Sequence, residues 1–230
     1  MTPSPLITRI EPLRPRGLRV MIHLDADEPF EVTLEALELS RLGVGDRLHP
    51  DARLGLLEVD ADVRVREAAL NLLSYRARTR RELKTKLRQK GFDAERIDTC
   101  LDRLEQHGLL DDAAVAAAFV RDRLLLRPRG KARLASELRQ KGLDSDTALQ
   151  TIDRVFDEAG ANDAELARDA AEGWLRRQGT STAAALAGGG SPEREKAKRR
   201  LHGYLSRRGF RGEAVTRAME RAAEIAARTG

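Results

Sequence analysis

The sequence contains few of the residues that build disulfide-bonded domains or aromatic-rich β-cores. One of its 230 residues is a cysteine, Cys100, and Phe, Trp and Tyr together make up 3%. A lone cysteine cannot form an internal disulfide. With so few aromatic side chains, the core must consist mainly of Leu, Ala, Val and Ile packed between helices, which argues against an all-β sandwich.

Long apolar segments are also absent from the sequence. The longest apolar stretches, residues 113–118 and 183–187, are far shorter than the roughly 20 residues that a membrane span needs. The first residues contain no apolar signal segment. We therefore expect a soluble, cytoplasmic protein that has no membrane partner.

No pattern typical of a metal site or a nucleotide site is present. The glycine run at residues 188–190 belongs to no phosphate-binding motif. The histidines form neither an i,i+4 pair nor a cluster with the cysteine; they are His23, His49, His107 and His202. We therefore expect no metal ion and no cofactor.

Two features could still indicate an enzyme. Asp111 and Asp112 could bind the metal ion of a nuclease, but they immediately precede a predicted helix, where acidic side chains cap exposed N–H groups. Cys100 lies beside Leu101 in a helical pattern and has no partnered histidine, which favours a packing role over a nucleophile. We predict that the chain has no catalytic residue and is not an enzyme.

The charges are divided unequally along the chain. Residues 1–62 carry 7 arginines and 12 acidic residues, a net charge of −5. Since the whole chain carries +5, the remainder carries +10. An excess of this size favours a polyanionic partner for the C-terminal part, although surface charge kept for solubility is an equally simple explanation of the total alone.

Two segments have the composition of flexible chain. Residues 1–17 contain four prolines and a glycine, and we predict a flexible leader there. Residues 179–193 are rich in Gly, Ser and Ala, which predicts a flexible linker. The part of the chain after the linker would then swing relative to the part before it.

An acidic β-hairpin-plus-helix element is predicted over residues 18–60. Residues 18–24 and 30–33 are β-prone and flank the polar turn DADEP. Thr33 is placed to cap a short following helix, which Gly43 and a second glycine two residues later would end.

The rest of the chain repeats itself. The segment RTRRELKTKLRQKGF at residues 78–92 returns as RGKARLASELRQKGL at 129–143 and as KAKRRLHGYLSRRGF at 196–210. Leucines recur four residues apart in each segment, and a glycine follows where a helix would end in a left-handed residue. A second helical pattern comes after each segment.

These repeats predict a mainly α protein, an elongated array of three tandem three-helix repeats behind the hairpin element. In the first two repeats the third helix is predicted over residues 112–126 and 162–177. The predicted repeats span residues 61–126, 127–178 and 194–230.

Basic residues recur at four positions of the repeat, whereas a solvated surface would vary in charge. The recurring sets are Arg76, Arg127 and Arg194; Arg78, Arg129 and Lys196; Arg80, Lys131 and Lys198; and Lys90, Lys141 and Arg208. Neighbouring positions add Arg81, Lys84, Arg88, Arg199, Arg200, Arg207 and Arg211. We predict that stacked repeats align these side chains into a basic track that binds a phosphate backbone or an acidic protein groove.

Recognition of base sequence is not indicated. The sequence has no zinc finger, no heptad zipper and no aromatic motif that stacks single-stranded bases. The predicted binding is therefore governed by shape and charge and would be nonspecific for sequence.

The run ALNLLSYRARTRRELKTKLRQKGF at residues 69–92, followed by GLLDD at 108–112, resembles the RecX family of regulatory proteins. The resemblance covers about residues 60–225 and is sharpest in the first repeat; Gly130 stands where the first repeat has Thr79. The acidic front is similar to an N-terminal extension of some members. The resemblance rests on Ala69, Leu70, Leu72, Leu73, Arg76, Arg78, Thr79, Glu82, Leu83, Lys86, Leu87, Gly91, Phe92, Asp111 and Asp112.

The resemblance implies a non-enzymatic protein that lies in the groove of the RecA–DNA filament, and we expect it to be a monomer. There it would inhibit ATP hydrolysis, strand exchange and coprotease activity, and so modulate recombination, DNA repair and the SOS response. Its partners would be the RecA filament and single- and double-stranded DNA. A free-standing, sequence-nonspecific DNA-binding architectural protein that does not act on RecA is the alternative that the basic track equally allows.

Overall fold

The computed structural model describes residues 4–14 and 17–229. The chain divides into two compact units, Met1–Leu110 and Asp111–Gly230. Unit 1 contains β1 (Ile7–Pro12), β2 (Arg19–Leu24), β3 (Phe30–Thr33), α1 (Leu34–Ser40), α2 (Pro50–Tyr75), α3 (Arg80–Gln89) and α4 (Ala94–Gln106). Unit 2 contains α5 (Asp112–Leu126), α6 (Lys131–Gln140), α7 (Ser145–Glu158), α8 (Asp163–Arg176), α9 (Thr180–Ala187), α10 (Pro192–Arg207) and α11 (Gly212–Thr229). Within the described ranges, no helix has the length and apolar character that crossing a membrane requires.

An antiparallel sheet with the strand order β1-β2-β3 begins unit 1. The predicted hairpin is confirmed as β2 and β3, in which Val20 pairs with Val32. The predicted flexible leader is wrong for residues 7–12, which form β1. A register irregularity after Ile7 breaks the alternation that would reveal a strand, although Ile7 is fully buried. Residues 1–3, 15 and 16 of that leader lie outside the described part.

The short helix α1 begins as predicted but ends differently. The Thr33 hydroxyl accepts a hydrogen bond from the Ala36 N–H at 3.3 Å, which confirms the cap. The helix ends before the glycines, because Arg41 adopts the left-handed conformation with φ 55°. Gly43 is therefore not the residue that ends this helix.

The hairpin element and the first repeat share one helix. The helix α2 is continuous from Pro50 to Tyr75 and crosses the boundary predicted at residue 60. Asp60 is buried in α2, and its carboxylate accepts a hydrogen bond from the Thr33 N–H at 2.6 Å. This bond ties the end of the sheet to the middle of α2.

Three-helix modules follow, and each has its own apolar core. Module 1 consists of the C-terminal half of α2 with α3 and α4, module 2 of α5, α6 and α7, and module 3 of α8, α10 and α11 with α9 packed against them. The leucines that recur in the sequence are fully buried; they are Leu83, Leu87, Leu134, Leu138, Leu201 and Leu205.

The modules are confirmed, but their boundaries differ from those predicted. The helices at residues 112–126 and 162–177 are predicted to end a repeat; instead each begins the next module. Ala116 and Val120 of α5 pack with Leu134 of α6, and Trp174 of α8 packs with Leu201 of α10. Sequence comparison locates the recurring helix pair, but only packing shows which third helix completes it.

The segment predicted as a flexible linker is structured for half of its length. Residues 180–187 form α9, and its Leu186 is 2% exposed in the core of module 3. Alanine has the highest helix propensity, so a segment with the sequence TSTAAALA forms a helix once one side chain can be buried. The prediction of a linker is therefore wrong over α9.

Modules 2 and 3 are joined by direct backbone contacts at Gly130. Its N–H donates to the Arg208 carbonyl at 2.9 Å. A Cβ atom at Gly130 would lie 2.5 Å from the Gly209 carbonyl oxygen. Gly130 occupies the N-cap position of α6 and has no side chain to cap it, but the Asp163 carboxylate accepts from the Lys131 N–H at 3.2 Å. Module 3 thus supplies the cap that module 2 lacks.

Candidate nucleic-acid interface

Two of the four basic side chains predicted on α3 pair with carboxylates inside module 1. Arg80 contacts Asp102 at 2.6 Å and Glu105 at 3.1 Å, and Lys84 contacts Asp98 at 2.5 Å. Burial acts to lower the pKa of Arg80, but the hydrogen bond and the charges of these α4 carboxylates hold it above its ordinary value. The α3 cations therefore stabilise the contact between α3 and α4.

The residues just before α3 also have partners in this module. Arg76 contacts Glu82 at 3.1 Å, and Glu82 is itself part of the capping box that Thr79 forms at the start of α3. The Arg78 Nε donates to the Leu72 carbonyl at 3.1 Å. The remaining predicted residues of module 1 are exposed at the surface; they are Arg81, Arg88 and Lys90.

Module 2 repeats one of these ion pairs. Lys131 contacts Asp153 at 2.6 Å, and the same separation of 22 residues joins Arg80 to Asp102. The Lys131 ammonium also lies over the Phe156 ring, 4.9 Å from its centre. The recurrence of a basic residue at this position thus has a structural cause in two modules, which the charge pattern of one helix does not reveal.

Arginines cluster around a single carboxylate at the junction of modules 2 and 3. Glu137 is paired with Arg123, Arg129 and Arg133, and its side chain is 12% exposed. Burial lowers the pKa of Arg129, and the neighbouring arginines lower it further. One carboxylate cannot neutralise this group, so the junction carries a surplus of positive charge.

Two recurring cations lie against aromatic rings. Lys141 lies over Phe119, and Arg208 lies 4.7 Å from the centre of the Tyr204 ring. The Arg208 guanidinium also donates to the Pro128 carbonyl at 3.3 Å, so this residue connects module 3 to module 2. Arg127 is exposed beside this junction.

The basic residues of α10 have fewer acidic neighbours. Lys198 contacts Glu195 at 3.3 Å, and Arg194 is half-buried. Lys196, Arg199 and Arg207 are exposed and form no ion pair with any residue of 4–14 or 17–229. The α10 cations are therefore the ones most available to an external anion.

The recurring basic positions in the sequence did not identify two arginines of the site, and they did not take account of the acidic residues that pair with the cations. Arg123 and Arg133 belong to the cluster around Glu137, although neither is in the recurring sets. The missed signal is the acidic residue on the last helix of each module, since Asp102 and Asp153 determine which cations are paired. A comparison of acids as well as bases would have indicated that Arg80 and Lys131 are paired within their modules.

The alternative catalytic features have structural roles. The Asp111 carboxylate accepts from the Ala114 N–H at 2.8 Å and caps α5, as predicted. Cys100 is buried, as predicted, and burial raises the pKa of its thiol, which lowers its nucleophilicity at neutral pH. Residues 4–14 and 17–229 contain no group of three His, Cys, Asp or Glu side chains that could hold a metal ion.

The structure thus defines a protein of tandem three-helix modules with basic surface residues on the second helix of each module. Two family models match the chain, "RecX, first three-helix domain" over residues 66–104 and "RecX, second three-helix domain" over 111–152. Both matched segments begin in the helix that precedes the recurring pair, in agreement with the packing of the modules. The chain belongs to the RecX family of regulatory proteins.

Relatives and solved structures agree with this assignment. Regulatory protein RecX of Amycolatopsis mediterranei is 35% identical over 147 residues, which are 64% of this chain and 76% of the relative. The RecX protein of Mycolicibacterium smegmatis is 39% identical over 158 residues, or 65% and 77% of the two chains. A crystal structure of regulatory protein RecX superposes with a TM-score of 0.68 at 25% identity and covers 94% of this chain and 99% of that one. RecX from Lactobacillus salivarius has the same fold, with a TM-score of 0.51 at 22% identity over 71% of this chain and 97% of that one.

Proposed function

We propose that this protein is a non-enzymatic inhibitor of the RecA recombinase that binds the RecA–DNA filament along its groove. Membership of a regulatory family supports the proposal, and so do the three helical modules with cations at their surfaces. The observation that carries it most directly is the exposed basic face of α10, because such a face binds phosphates without requiring a particular base sequence.

The inhibition would follow from binding alone. A protein seated on the filament limits the movements of the recombinase subunits that accompany ATP hydrolysis, strand exchange and coprotease activity. A cytoplasmic monomer with this activity would modulate recombination, DNA repair and the SOS response. The buried thiol and the capping role of Asp111 are consistent with a chain that performs no chemistry itself.

The decisive experiment is a titration of RecA ATPase activity on single-stranded DNA. RecA is first assembled on the DNA until no bare DNA remains, and the 230-residue protein is added in sub-stoichiometric amounts. We expect the rate of ATP hydrolysis to fall well before the protein equals RecA in concentration, because one protein molecule contacts several subunits. An unchanged rate would contradict the proposal.

An architectural DNA-binding protein is the second candidate, because the same cations could bind bare DNA. The two functions differ in their dependence on the recombinase. If the protein binds bare DNA but leaves the ATPase of a saturated filament unchanged, the architectural function is supported. Direct binding to the pre-formed filament, measured by co-sedimentation at the same salt concentration, provides the control that the protein reaches the filament at all.

A further inference from the structure

The exposed cations of α10 lie on one side of the helix. Lys196, Arg199 and Arg207 are separated by three and eight residues, and Gly203 lies between the two arginines. These spacings follow the 3.6-residue period of an α-helix, so the side chains form one stripe. Gly203 leaves the backbone open at the middle of the stripe, where its missing Cβ would otherwise lie 3.1 Å from the Arg207 guanidinium.

Two grooves of about 460 and 430 Å³ adjoin this stripe, and neither is lined by an acidic residue. The first is formed by Trp174 and four cations of α10, including Lys196 and Arg199. The second lies between modules 2 and 3, where Arg133, Arg207 and Arg211 meet the hydroxyl-bearing Ser136 and Ser206. Arg207 lines both grooves, so they are neighbours.

The lining of these grooves differs from that of an ordinary charged surface. A third groove of unit 2, beside α8, contains Glu165, Asp169 and Glu172 together with its arginines. In that groove positive and negative side chains compensate one another. The grooves beside α10 offer the positive charge of arginines and a lysine and the hydroxyl donors of serines without a carboxylate, and this is the chemistry that binds phosphate oxygens.

Nearby charge reinforces this preference. The cluster around Glu137 shares Arg133 with the second groove and already holds more arginines than its one carboxylate neutralises. An anion bound there would relieve the repulsion between these guanidinium groups. Arg211, like the α10 cations of the stripe, forms no ion pair within residues 4–14 and 17–229.

The ligand must be longer than one phosphate. Lys196 and Arg207 are 11 positions apart on α10, a distance of about 16 Å along the helix axis. Successive phosphates of one DNA strand are separated by about 3.4 Å along the duplex axis, so a strand places several of them over this length. A single phosphate ion could occupy one groove but not the whole stripe.

We infer that the α10 stripe and the two grooves beside it bind the phosphodiester backbone of one DNA strand and supply a large part of the DNA affinity of this protein. The inference rests on the proposed function for its biological setting, but it concerns bare DNA and can be tested without RecA.

The test compares DNA binding by the unmodified protein and by the triple variant Arg199→Gln, Arg207→Gln, Arg211→Gln. Fluorescence anisotropy of a labelled oligodeoxythymidylate measures both at several salt concentrations. We expect the variant to bind at least about tenfold more weakly, and the slope of log K against log salt to decrease by about 2, since three contacts to a single strand are lost. Circular dichroism should show unchanged helicity, because the three side chains are exposed.

A matched control removes the same charge elsewhere in unit 2. Arg154, Arg168 and Arg176 are also exposed, but each has an acidic partner, namely Glu158, Asp169 or Glu172. The triple variant Arg154→Gln, Arg168→Gln, Arg176→Gln should retain nearly the affinity and salt slope of the unmodified protein. Equal losses in the two triple variants would show that net charge alone governs binding and would overturn the inference.

Other outcomes separate this inference from the proposed function. The DNA-binding site on α10 would be overturned if the unmodified protein failed to bind the oligonucleotide at low salt. It would also be overturned if polyglutamate competed as strongly as unlabelled DNA. In either case the ATPase titration would still decide whether the protein inhibits RecA. Conversely, the variant Arg199→Gln, Arg207→Gln, Arg211→Gln could lose DNA binding while the unmodified protein leaves the RecA ATPase rate unchanged. That result would support the DNA-binding site on α10 and contradict the proposed function.

Discussion

The helices α3 and α10 occupy the same place in modules 1 and 3, yet their cations have different surroundings. On α3, Arg80 and Lys84 are held by carboxylates of α4. On α10, Lys196, Arg199 and Arg207 are exposed, without ion pairs in the described ranges. Basic residues on the equivalent helices therefore have two uses in this protein. At the positions of Arg80 and Lys84 they hold module 1 together, and at the positions of Lys196, Arg199 and Arg207 they form an open surface.

The pairing of Arg80 and Lys84 depends on the last helix of module 1. Three acidic side chains of α4 face α3; they are Asp98, Asp102 and Glu105. The corresponding positions of α11 are Thr216, Glu220 and Ala223, so two of the three carboxylates are missing. In the alignment of the repeats, the α10 residues at the positions of Arg80 and Lys84 are Lys198 and His202, so these two positions have fewer carboxylates opposite them in module 3. Lys196, Arg199 and Arg207 align instead with Arg78, Arg81 and Gln89.

The largest change in stability is expected at the start of the second helix of each module, where module 1 has Thr79 and module 2 has Gly130. Replacing Gly130 by Thr, the residue at the corresponding position of module 1, should destabilise the protein by about 3 kcal/mol, because the new side chain would overlap the Gly209 backbone. Urea unfolding followed by circular dichroism measures the change. The reciprocal replacement, Thr79→Gly, should cost less, about 1–2 kcal/mol, since it removes a cap and a buried methyl group but creates no overlap. Equal costs would show that the close contact with Gly209 is unimportant.

Exchanging acidic residues between α4 and α11 tests whether pairing within a module limits the binding of DNA by its cations. The double variant Asp98→Thr, Glu105→Ala gives α4 the residues of α11 and should raise the affinity for a labelled oligonucleotide about tenfold, because Arg80 and Lys84 lose acidic neighbours. Stability should fall by less than about 1 kcal/mol, as is usual for ion pairs near the surface.

The opposite exchange is the control for that experiment. Thr216→Asp with Ala223→Glu gives α11 the acids of α4 and should lower the DNA affinity by a similar factor. Anisotropy at one fixed salt concentration measures both variants. If the two exchanges change affinity in the same direction, pairing across the module does not decide which cations bind DNA.

The smallest effect is expected from the carboxylate that caps α6. Burial raises the pKa of Asp163 above its ordinary value. The native state therefore holds the proton more tightly than the unfolded chain, and the stability contributed by protonated Asp163 is lost as the pH rises through the raised pKa. Asp163→Asn, which keeps an acceptor for the Lys131 N–H without titrating, should gain stability relative to the unmodified protein between about pH 4 and pH 7.

Urea unfolding across this pH range checks that prediction. Asp163→Ala, which removes the acceptor, should cost about 1 kcal/mol at either end of the range. A stability difference between the Asn variant and the unmodified protein that does not change with pH would contradict the assigned role of burial.

Local signals in the sequence predicted much of the fold. The capping residue Thr33 and the hairpin before it depend on neighbouring residues alone, and so do the left-handed residues Gly91, Gly142 and Gly209 that follow the recurring helices. Features that depend on distant contacts were not predictable in this way. Strand β1 needs the neighbouring strand, and α9 needs a core in which Leu186 can be buried.

The candidate site shows the same division. The recurring bases could be found in the sequence, but the partner of each base lies on another helix. Arg80 and Lys198 align in the repeat, yet Arg80 contacts Asp102 whereas Lys198 contacts Glu195 of its own helix. Charge pattern along one helix predicts which residues are basic, and packing of the next helix decides which of them remain open.

The continuity of α2 has a consequence for any rearrangement of the acidic N-terminal element. This helix holds Asp60 and the sheet contacts in its first half and the core residue Ala69 of module 1 in its second half. At 26 residues it is about 39 Å long. A single residue inserted between the two halves would rotate the sheet by about 100° around the helix axis relative to module 1. The orientation of the negatively charged element around α2 therefore depends on the number of residues between the two halves of the helix. Insertions of seven residues, which add about two full turns, should be tolerated far better than insertions of two.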